Sequence, residues 1–353
     1  MLGDAYPDES SAITVLRFLE EVARDICVLS PKRYRHVALG VRTVPRGRLA
    51  REGVEALTSS LTELIYAYYY LADPRMIATL QSPRRESVPI HAQADLDFVQ
   101  QLRTATTEIG YLDPGWVVTA VEDAGTARTF LVHKARLSLS VRPDQVVPAT
   151  HESLTIGTVV AVRFPKDRPY AMPGYYVALG SAGPPNGQEL LVRWYFHLLP
   201  AAAPLLLKQL TSNLNEISVP FGLKMLNHPV AYTRPDAAVL YMPRGVLTVA
   251  SRVVLAAYQG IEDQVRLRVP ALTRQVRPGL AIAEEPVQVG RLVSFGQHRS
   301  RLIAQGVVDA AARGDKSLAG RVEAVLAAFK AAGILLDAPH LNPGSPEFDI
   351  ASA

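Results

Sequence analysis

The chain has 353 residues, enough for two domains or one large one, and its net charge of +4 comes from arginine much more than from lysine. Hydrophobic residues make up 48% and charged residues 20%, as in an ordinary soluble globular protein. The mild basicity speaks against a nucleic-acid partner, and the single cysteine, Cys27, excludes an intrachain disulfide and a cysteine-built metal site.

The sequence shows no pattern typical of export or of membrane insertion. Its first residues, MLGDAYPDESSA, are acidic and polar and lack the basic-then-apolar order of a signal peptide. The longest apolar region, 190–210, is interrupted by Arg193, His197 and Lys208, which a membrane span would exclude. These features predict a cytoplasmic protein with no membrane partner.

Helical patterns dominate the first third of the chain. Apolar residues recur at helical spacing over 11–29 and 52–71, and a shorter helix is expected over 95–109. The second helix ends in a tyrosine cluster, whose pattern favours a half-buried helix face over a peptide-contacting surface. Residues 31–50 are turn-like, and the Pro-, Arg- and Ser-rich residues 73–95 are typical of a long loop that could also contact a partner.

The middle of the chain is rich in short β-prone runs. Two of them, at 116–120 and 129–133, flank Asp123-Ala-Gly125 and predict a hairpin. Further strands are expected at 137–141, 157–164, 190–197 and 221–226, and residues 173–180 are expected to form a turn followed by a strand. Helical spacing returns at 201–214, 246–258, 299–312 and 318–332, while 236–242 fits a helix or a strand and 270–283 is irregular.

Helices followed by strands and helices without regular βαβ alternation predict an α+β fold. We expect a helical N-terminal region over 1–105 and a loose C-terminal tail over 336–353. Between them, residues 106–335 should form a mixed, largely antiparallel sheet flanked by helices. The sequence contains no internal repeat.

Common site signatures are absent from the sequence. It has no glycine-rich phosphate loop, no dinucleotide fingerprint, no H-E-x-x-H motif and no G-x-S-x-G motif. The eight histidines never take metal-ligand spacing on one helix. We therefore expect neither a metal site nor a nucleotide or redox cofactor.

Lys224 stands out because it lies within an apolar run, PFGLKML. A lysine in apolar surroundings loses proton affinity and can become a base near neutral pH. The alternative is a lysine whose stem covers the core while its ammonium group reaches water. Shortly after it, Arg234 precedes Asp236 and a second apolar run, AAVLYM.

Two further stretches combine cationic and apolar residues. In LVRWYFHL, strand alternation points Arg193 and His197 to the same face, although both could be structural residues of a strand edge and a core. The stretch Ser294-Phe-Gly-Gln-His-Arg299 precedes a predicted helix, whose N-terminus favours an anion. Arg299, with Arg301 or His298, could bind an oxyanion there or face solvent.

Several spaced motifs, in one order over residues 110–315, resemble the HopA-type effector family. They are DPGW, PGYYVALG, VRWYFHL, PFGLKMLNHP, YTRPDAAVLY, GLAIAEEP and SFGQHRSRLIA. HopA-like proteins occur as type III effectors and as stand-alone enzymes of class V lanthipeptide and thioamitide biosynthesis. In the biosynthetic setting they are thought to be phosphoserine/phosphothreonine lyases that work with a separate kinase. The resemblance thus implies a phosphorylated precursor peptide as substrate and a kinase as partner.

The resemblance also implies roles for individual residues. Related phosphothreonine lyases use a histidine acid, a lysine base and phosphate-binding arginines, an order that matches His197, Lys224, Arg234 and Arg299 here. His197 stands where many relatives carry asparagine, and Arg274 stands where lysine is frequent. We add Arg193 to the phosphate clamp, and Tyr232, Asp236, His298 and Lys166 as supporting or peptide-binding residues, with Asp236 orienting Arg234 and Tyr232 lining the pocket.

The chemistry of phosphate elimination agrees with these roles. The base must remove a weakly acidic Cα proton, so the pKa of Lys224 has to fall from about 10.4 toward 7. An apolar strand and neighbouring arginines are expected to lower it. Arginine forks bind phosphate oxygens and stabilise the charge of the leaving group. The runner-up function is a non-catalytic phosphopeptide-binding or scaffold subunit for the kinase, and an effector acting on a host protein is a third.

Overall fold

Within the described residues, the strands form three antiparallel sheets and the helices pack around them. The structure, a computed structural model, describes residues 11–44, 53–81, 94–106, 109–124, 127–149, 153–187, 189–287 and 293–350. Its mixture of helices with antiparallel strands confirms the α+β prediction.

The α-helices in the described part of the chain are α1 (Ser11–Asp25), α2 (Val54–Ile65), α3 (Pro74–Gln81), α4 (Leu96–Ala105), α5 (Ala203–Glu216), α6 (Leu247–Gln259), α7 (Phe295–Ala312) and α8 (Leu318–Ala331). A π-helical turn, Tyr66–Tyr70, continues α2. Polar caps fix several helix starts: the Asp95 carboxylate accepts from the Phe98 amide, and Ser294 forms a capping box with Gln297.

The central sheet has seven strands in the order β14-β15-β11-β13-β12-β10-β9. In chain order these are β9 (Asp167–Met172), β10 (Tyr175–Leu179), β11 (Leu191–Phe196), β12 (Gly222–Leu226), β13 (Ala238–Pro243), β14 (Arg274–Arg277) and β15 (Leu280–Glu284). All six pairings are antiparallel. The strands predicted at 190–197 and 221–226 are confirmed, and 236–242 proves to be a strand.

Alternation gives the central sheet two different faces. One face carries Leu223, Met225, Trp194 and Leu240, all fully buried beneath α4, α5 and α6. The other carries Lys224 and packs beneath α1, α2, α7 and α8. The sheet therefore separates a purely apolar layer from a layer that mixes apolar and charged side chains.

A second sheet forms a smaller unit with its own core. Its order is β6-β5-β4-β8-β7, with β4 (Tyr111–Ala124), β5 (Ala127–Lys134), β6 (Leu137–Val141), β7 (Val146–Pro148) and β8 (Val159–Phe164). Trp116, Phe130 and Val160 are among the side chains of its core. The strands of the predicted hairpin are confirmed, while its turn at 125–126 lies outside the described residues.

The sequence predicted a helical N-terminal region, but this region also contains strands. The helix expected over 11–29 ends at Asp25, and a three-stranded sheet follows: β1 (Ile26–Ser30), β2 (Arg33–His36) and β3 (Gly40–Thr43). The isoleucine and valine of ICVLS favour a strand once Ile26 and Val28 find a buried face. The predicted loop at 73–95 includes the helix α3, and 82–93 lies outside the described residues.

Residues 336–350 pack against the sheet, in contrast to the loose tail that we predicted. Leu341 and Phe348 are buried, and the His340 carbonyl accepts a hydrogen bond from the Glu284 amide. Arg244 donates to the Pro346 carbonyl and pairs with the fully buried Glu284. The proline- and glycine-rich composition predicted disorder, but the apolar side chains and backbone groups of this segment find partners on the sheet.

Candidate active site

Lys224 lies in the middle of the central sheet, on β12. Its backbone pairs with Val177 of β10 on one side and Val239 of β13 on the other. Leu223 and Met225 point into the apolar core beneath the opposite face and are fully buried. These two anchors fix the lysine backbone and direct its side chain to the other face.

Two tyrosine rings join Lys224 to two arginines. The Lys224 ammonium nitrogen lies 4.2 Å from the ring centre of Tyr175, and the Arg234 guanidinium carbon lies 5.8 Å from the same centre. The Tyr241 ring centre is 6.0 Å from the Lys224 nitrogen and 5.0 Å from the Arg193 guanidinium carbon. Lys224, Arg193 and Arg234 are therefore brought together. Cation–π attraction holds each against a ring without neutralising its charge.

Arg234 is held by a two-pronged ion pair with Asp236. Its Nε and Nη2 atoms donate to the two Asp236 carboxylate oxygens, each at 2.8 Å. Burial opposes ionisation of Asp236, but the charge and hydrogen bonds of Arg234, helped by Lys224, lower its pKa. Asp236 thus stays an anion and orients the guanidinium, while the Arg234 Nη1 atom donates to no acceptor among the described residues.

Arg193 lies on β11 and is buried, with its Nε donating to the Glu285 carboxylate. Its neighbour on the same strand face is Tyr195, whose hydroxyl is buried beside Arg193 and Tyr70. Burial raises the pKa of Tyr195 to about 12. The Tyr195 hydroxyl is therefore neutral at physiological pH and can act only as a hydrogen-bonding group.

The pKa of Lys224 is raised above its ordinary value, which corrects the expectation that it falls. Burial lowers this pKa, but the oxygens of Tyr241 and Tyr175 and the Asp236 carboxylate raise it by more, and Arg193 opposes them only in part. Lys224 makes no hydrogen bond or ion pair with a described residue. Lys224 is therefore a protonated, half-buried side chain.

His197 lies just beyond the end of β11, on the strand face of Arg193. Its Nδ1 atom is 2.8 Å from the Arg268 carbonyl oxygen, and because a carbonyl only accepts, Nδ1 carries the proton. The Nε2 atom is buried and has no hydrogen-bond partner among the described residues. Burial lowers the pKa of His197, with the charges of Arg266 and Arg268 acting in the same direction. In this neutral form Nε2 has a lone pair and no proton to donate.

Arg299 is fully buried in the first turn of α7. Its Nε and Nη2 atoms donate to the carbonyl oxygens of Pro339 and Leu341, at 2.8 and 2.7 Å, and its Nη1 atom contacts His298 Nδ1 at 2.7 Å. Burial lowers the pKa of Arg299 to about 10 and that of His298 to about 4. The charge of Arg299 interacts with Tyr195 and Tyr70, which places it beside the cluster. Its guanidinium nitrogens, however, already have hydrogen-bond partners within the protein. Its role as a phosphate ligand stays a prediction.

Tyr232 and Lys166 lie away from Lys224. The buried Tyr232 hydroxyl donates to the Leu226 carbonyl at 2.9 Å, and its ring packs edge-on against Phe98 beneath the apolar face. Lys166 donates to the carbonyls of Arg103 and Thr106, next to α4. Tyr232 does not line the pocket, and both residues have structural partners that account for their positions.

Sequence reasoning gave no site role to Tyr175 or Tyr241, and it raised the tyrosine cluster near 65–70 only as a possible peptide-contacting surface. Tyr175 and Tyr241 flank Lys224, and Tyr66 and Tyr70 reach the same face from the π-helical turn. The sequence contains part of the information needed to find them, because strand alternation assigns Tyr175 and Tyr241 to one side of their strands. Which strands are neighbours, however, depends on the sheet order, which the sequence alone does not give.

The described residues contain neither a candidate metal site nor a candidate membrane span. No group of three or more histidine, cysteine, aspartate and glutamate side chains there could hold a metal ion. Within the same ranges, no helix has the length and apolar character needed to cross a bilayer.

Lys224, Arg193, Arg234 and Arg299 all fall within one stretch that matches a known family. The model of the HopA1 effector protein family matches residues 166–341. Residues 166–341 are thus a HopA1-like region. The match confirms the HopA-type resemblance there, whereas the DPGW motif of the expected range lies outside it.

Solved effector structures align with both the HopA1-like region and the rest of the chain. An effector protein from Pseudomonas syringae pv. tomato strain DC3000 is 15% identical, with 95% of this chain and 100% of that chain covered and a TM-score of 0.49. An effector protein from Pseudomonas syringae pv. syringae strain 61 is 13% identical, with 82% and 97% covered and a TM-score of 0.39. No curated protein sequence matches the chain.

Proposed function

We propose that the cluster around Lys224 eliminates phosphate from phosphoserine or phosphothreonine in a ribosomal precursor peptide, giving dehydroalanine or dehydrobutyrine. The observation that carries the proposal is the placement of Lys224 between Arg193 and Arg234, with its ammonium group unpaired by any described anion. The two arginines can bind the phosphate dianion from either side, and the lysine between them can reach the Cα proton of the same residue.

The proposed reaction is a β-elimination with Lys224 as the base. Neutral Lys224 takes the Cα proton, the electron pair of that bond forms the Cα–Cβ double bond, and the Cβ–O bond breaks. The phosphate leaves with the bonding electrons and takes up a proton from water, and Arg193 and Arg234 stabilise its charge. No redox change occurs, and the products are the dehydroamino acid and inorganic phosphate.

The test is to incubate the protein with a phosphothreonine peptide and follow its intact mass. The expected result is the loss of phosphoric acid from the peptide and the appearance of inorganic phosphate. A matched threonine peptide serves as the control, because it lacks the leaving group. An unchanged phosphopeptide, even with the partner kinase present, would contradict the proposal.

We expect the elimination rate to rise with pH. Because the pKa of Lys224 is raised, only a small fraction of this lysine is neutral near pH 7, and that fraction grows about tenfold per pH unit below the pKa. The kcat/KM for a phosphothreonine peptide should therefore increase steeply from about pH 7 to about pH 9. A profile that is flat over this range would show that another group removes the proton.

We expect His197→Asn to keep most of the activity. His197 Nδ1 donates to a carbonyl and Nε2 is unprotonated, so the arginines, which are already charged, are better placed to stabilise the leaving phosphate. The asparagine amide can replace the hydrogen bond to the Arg268 carbonyl, and kcat/KM should fall by less than about tenfold. A fall of about a hundredfold or more, with an unchanged melting temperature, would instead assign His197 as the general acid.

A second candidate function is phosphopeptide binding without chemistry, in a subunit that presents the precursor to its kinase. The raised pKa of Lys224 favours it, because an ammonium group that keeps its proton near pH 7 binds phosphate but removes no proton. Binding of the phosphopeptide without any change in its mass would support this function. The HopA1 match also suggests an effector acting on a host protein, which the same mass assay tests with a folded phosphoprotein as substrate.

A further inference from the structure

A pair of tyrosines from outside the HopA1-like region reaches the candidate active site. Tyr66 and Tyr70 lie in the π-helical turn that ends α2, and their rings stack with centroids 5.3 Å apart and an angle of 19°. The turn is closed by a hydrogen bond from the Leu71 amide to the Tyr66 carbonyl, at 3.0 Å. Such π-turns are rare and are frequently found at functional sites.

Helix α7 is shaped to admit these two rings. Gly296 lies in its first turn, and a Cβ atom there would be 2.2 Å from Cε1 of Tyr70 and 2.7 Å from Cε2 of Tyr66. Any residue other than glycine would therefore push the rings away. The absence of a side chain at Gly296 lets the tyrosine pair pass beneath the helix that also carries Arg299.

The same π-turn directs its other tyrosines elsewhere. The Tyr69 hydroxyl donates to the Asp25 carboxylate at 3.0 Å and contacts His36 Nε2 at 2.8 Å. Tyr68 packs edge-on against the His36 ring, with centroids 4.6 Å apart. Two tyrosines thus fix the turn to the three-stranded sheet, while Tyr66 and Tyr70 point to the site.

Tyr66 lies next to the phosphate clamp. Its electrostatic neighbours are Asp236, Arg234, Tyr175 and Tyr195, which all belong to the Lys224 face of the sheet. Tyr66 is half-buried, and its hydroxyl donates to none of the described residues. Burial, with the Asp236 charge acting in the same direction, raises its pKa well above the ordinary value, so it keeps its proton as a neutral donor.

We infer that Tyr66 contacts the substrate, donating a hydrogen bond to a phosphate oxygen held by Arg234. A neutral donor beside a bound dianion strengthens binding without adding charge. The helical region outside the HopA1-like region thereby completes the site. This inference rests on the proposed binding of a phosphorylated residue at the cluster.

The test compares Tyr66→Phe with Tyr68→Phe in the full-length protein. Both changes remove one hydroxyl from the same turn and keep the ring, but Tyr68 faces His36 and not the site. The probes are inorganic phosphate, followed by calorimetry, and a phosphothreonine peptide, followed by KM and kcat. Loss of a hydrogen bond to a charged group should weaken phosphate binding by about tenfold in Tyr66→Phe and leave Tyr68→Phe unchanged.

The outcomes separate this inference from the proposed function. The contact is supported if Tyr66→Phe binds phosphate more weakly than Tyr68→Phe while the two variants have the same melting temperature. If the wild-type protein binds phosphate and eliminates it from the peptide, but Tyr66→Phe and Tyr68→Phe have equal phosphate affinity, the contact is wrong and the proposed function stands. If the wild-type protein binds neither phosphate nor phosphopeptide, both are wrong.

A double-mutant cycle supplies a second, independent measurement. Tyr66→Phe and Arg234→Lys are combined, and phosphate affinity is measured for each single variant and for the pair. Because both groups are placed on the same phosphate, their effects should be non-additive. Strictly additive effects would overturn the assignment of Tyr66 to the phosphate held by Arg234.

Discussion

Replacing Lys224 with arginine should abolish elimination while preserving phosphopeptide binding. Arginine keeps the positive charge between Tyr175 and Tyr241 but does not lose its proton in the accessible pH range. A general base contributes about 10²- to 10⁴-fold to a rate, so kcat should fall by that order. The measurement is phosphate release by Lys224→Arg, together with its affinity for the phosphothreonine peptide.

Two further variants make the result at Lys224 specific. Lys224→Ala should lose turnover as well, and its phosphopeptide binding should weaken further because the charge is gone. Lys208→Ala, on the exposed side of α5, removes a lysine without touching the cluster and should behave as wild type. Full activity of Lys224→Ala would reject the lysine as the base, and the proposed elimination would then need another base.

The largest effect on folding should come from Asp236. Asp236 is buried and binds both Nε and Nη2 of Arg234, so Asp236→Ala leaves a largely buried guanidinium without its counter-ion. Breaking a buried pair on one side costs about 3–5 kcal/mol of the free energy of unfolding. The midpoint of urea denaturation should therefore drop clearly in Asp236→Ala.

The chain contains its own control for this experiment. Arg142-Pro143-Asp144 repeats the tripeptide Arg234-Pro235-Asp236 and forms the same type of ion pair, but both of its side chains are about two-thirds exposed. Because solvent screens such a pair, Asp144→Ala should leave the denaturation midpoint almost unchanged. Equal shifts for Asp144→Ala and Asp236→Ala would contradict the role of burial.

Replacing both partners separates stability from activity. Exchanging a buried ion pair for apolar residues of similar volume is often neutral for stability, so Arg234→Met combined with Asp236→Leu should recover most of the midpoint lost by Asp236→Ala. The same double variant lacks the guanidinium and should not bind inorganic phosphate. Recovery of folding without recovery of binding would assign Arg234 to the ligand as well as to the fold.

Local patterns were enough to predict most strands and helices of the HopA1-like region. Alternation in LLVRWYFH placed Arg193 and His197 on one face, and helical spacing predicted α5, α6 and α8 closely. The interval 270–283 was misjudged, because the apolar run of β15 has no alternation when both of its faces are buried. Its hairpin turns at Gly279, with φ of +68°, beside Pro278.

The electrostatics of the site could not be predicted from the run around Lys224 alone. That run is apolar, which predicted a lowered pKa, but Tyr175, Tyr241 and Asp236 come from other elements and reverse the direction. Arg299 illustrates the same limit, because its partners are the backbone carbonyls of Pro339 and Leu341. Backbone carbonyls of a distant segment cannot be identified as partners from the side-chain sequence.

The two unlike faces of the central sheet have a consequence for engineering. Leu223 and Met225 pack into the apolar core on one face of β12, and Lys224 lies on the other face. Alternate residues of one strand therefore serve the fold and the candidate site. Substitutions of Lys224, which forms no ion pair with a described residue, should alter reactivity with little loss of stability. The protein is thus a suitable frame for installing other acids and bases at the positions of Lys224, Tyr175 and Tyr241.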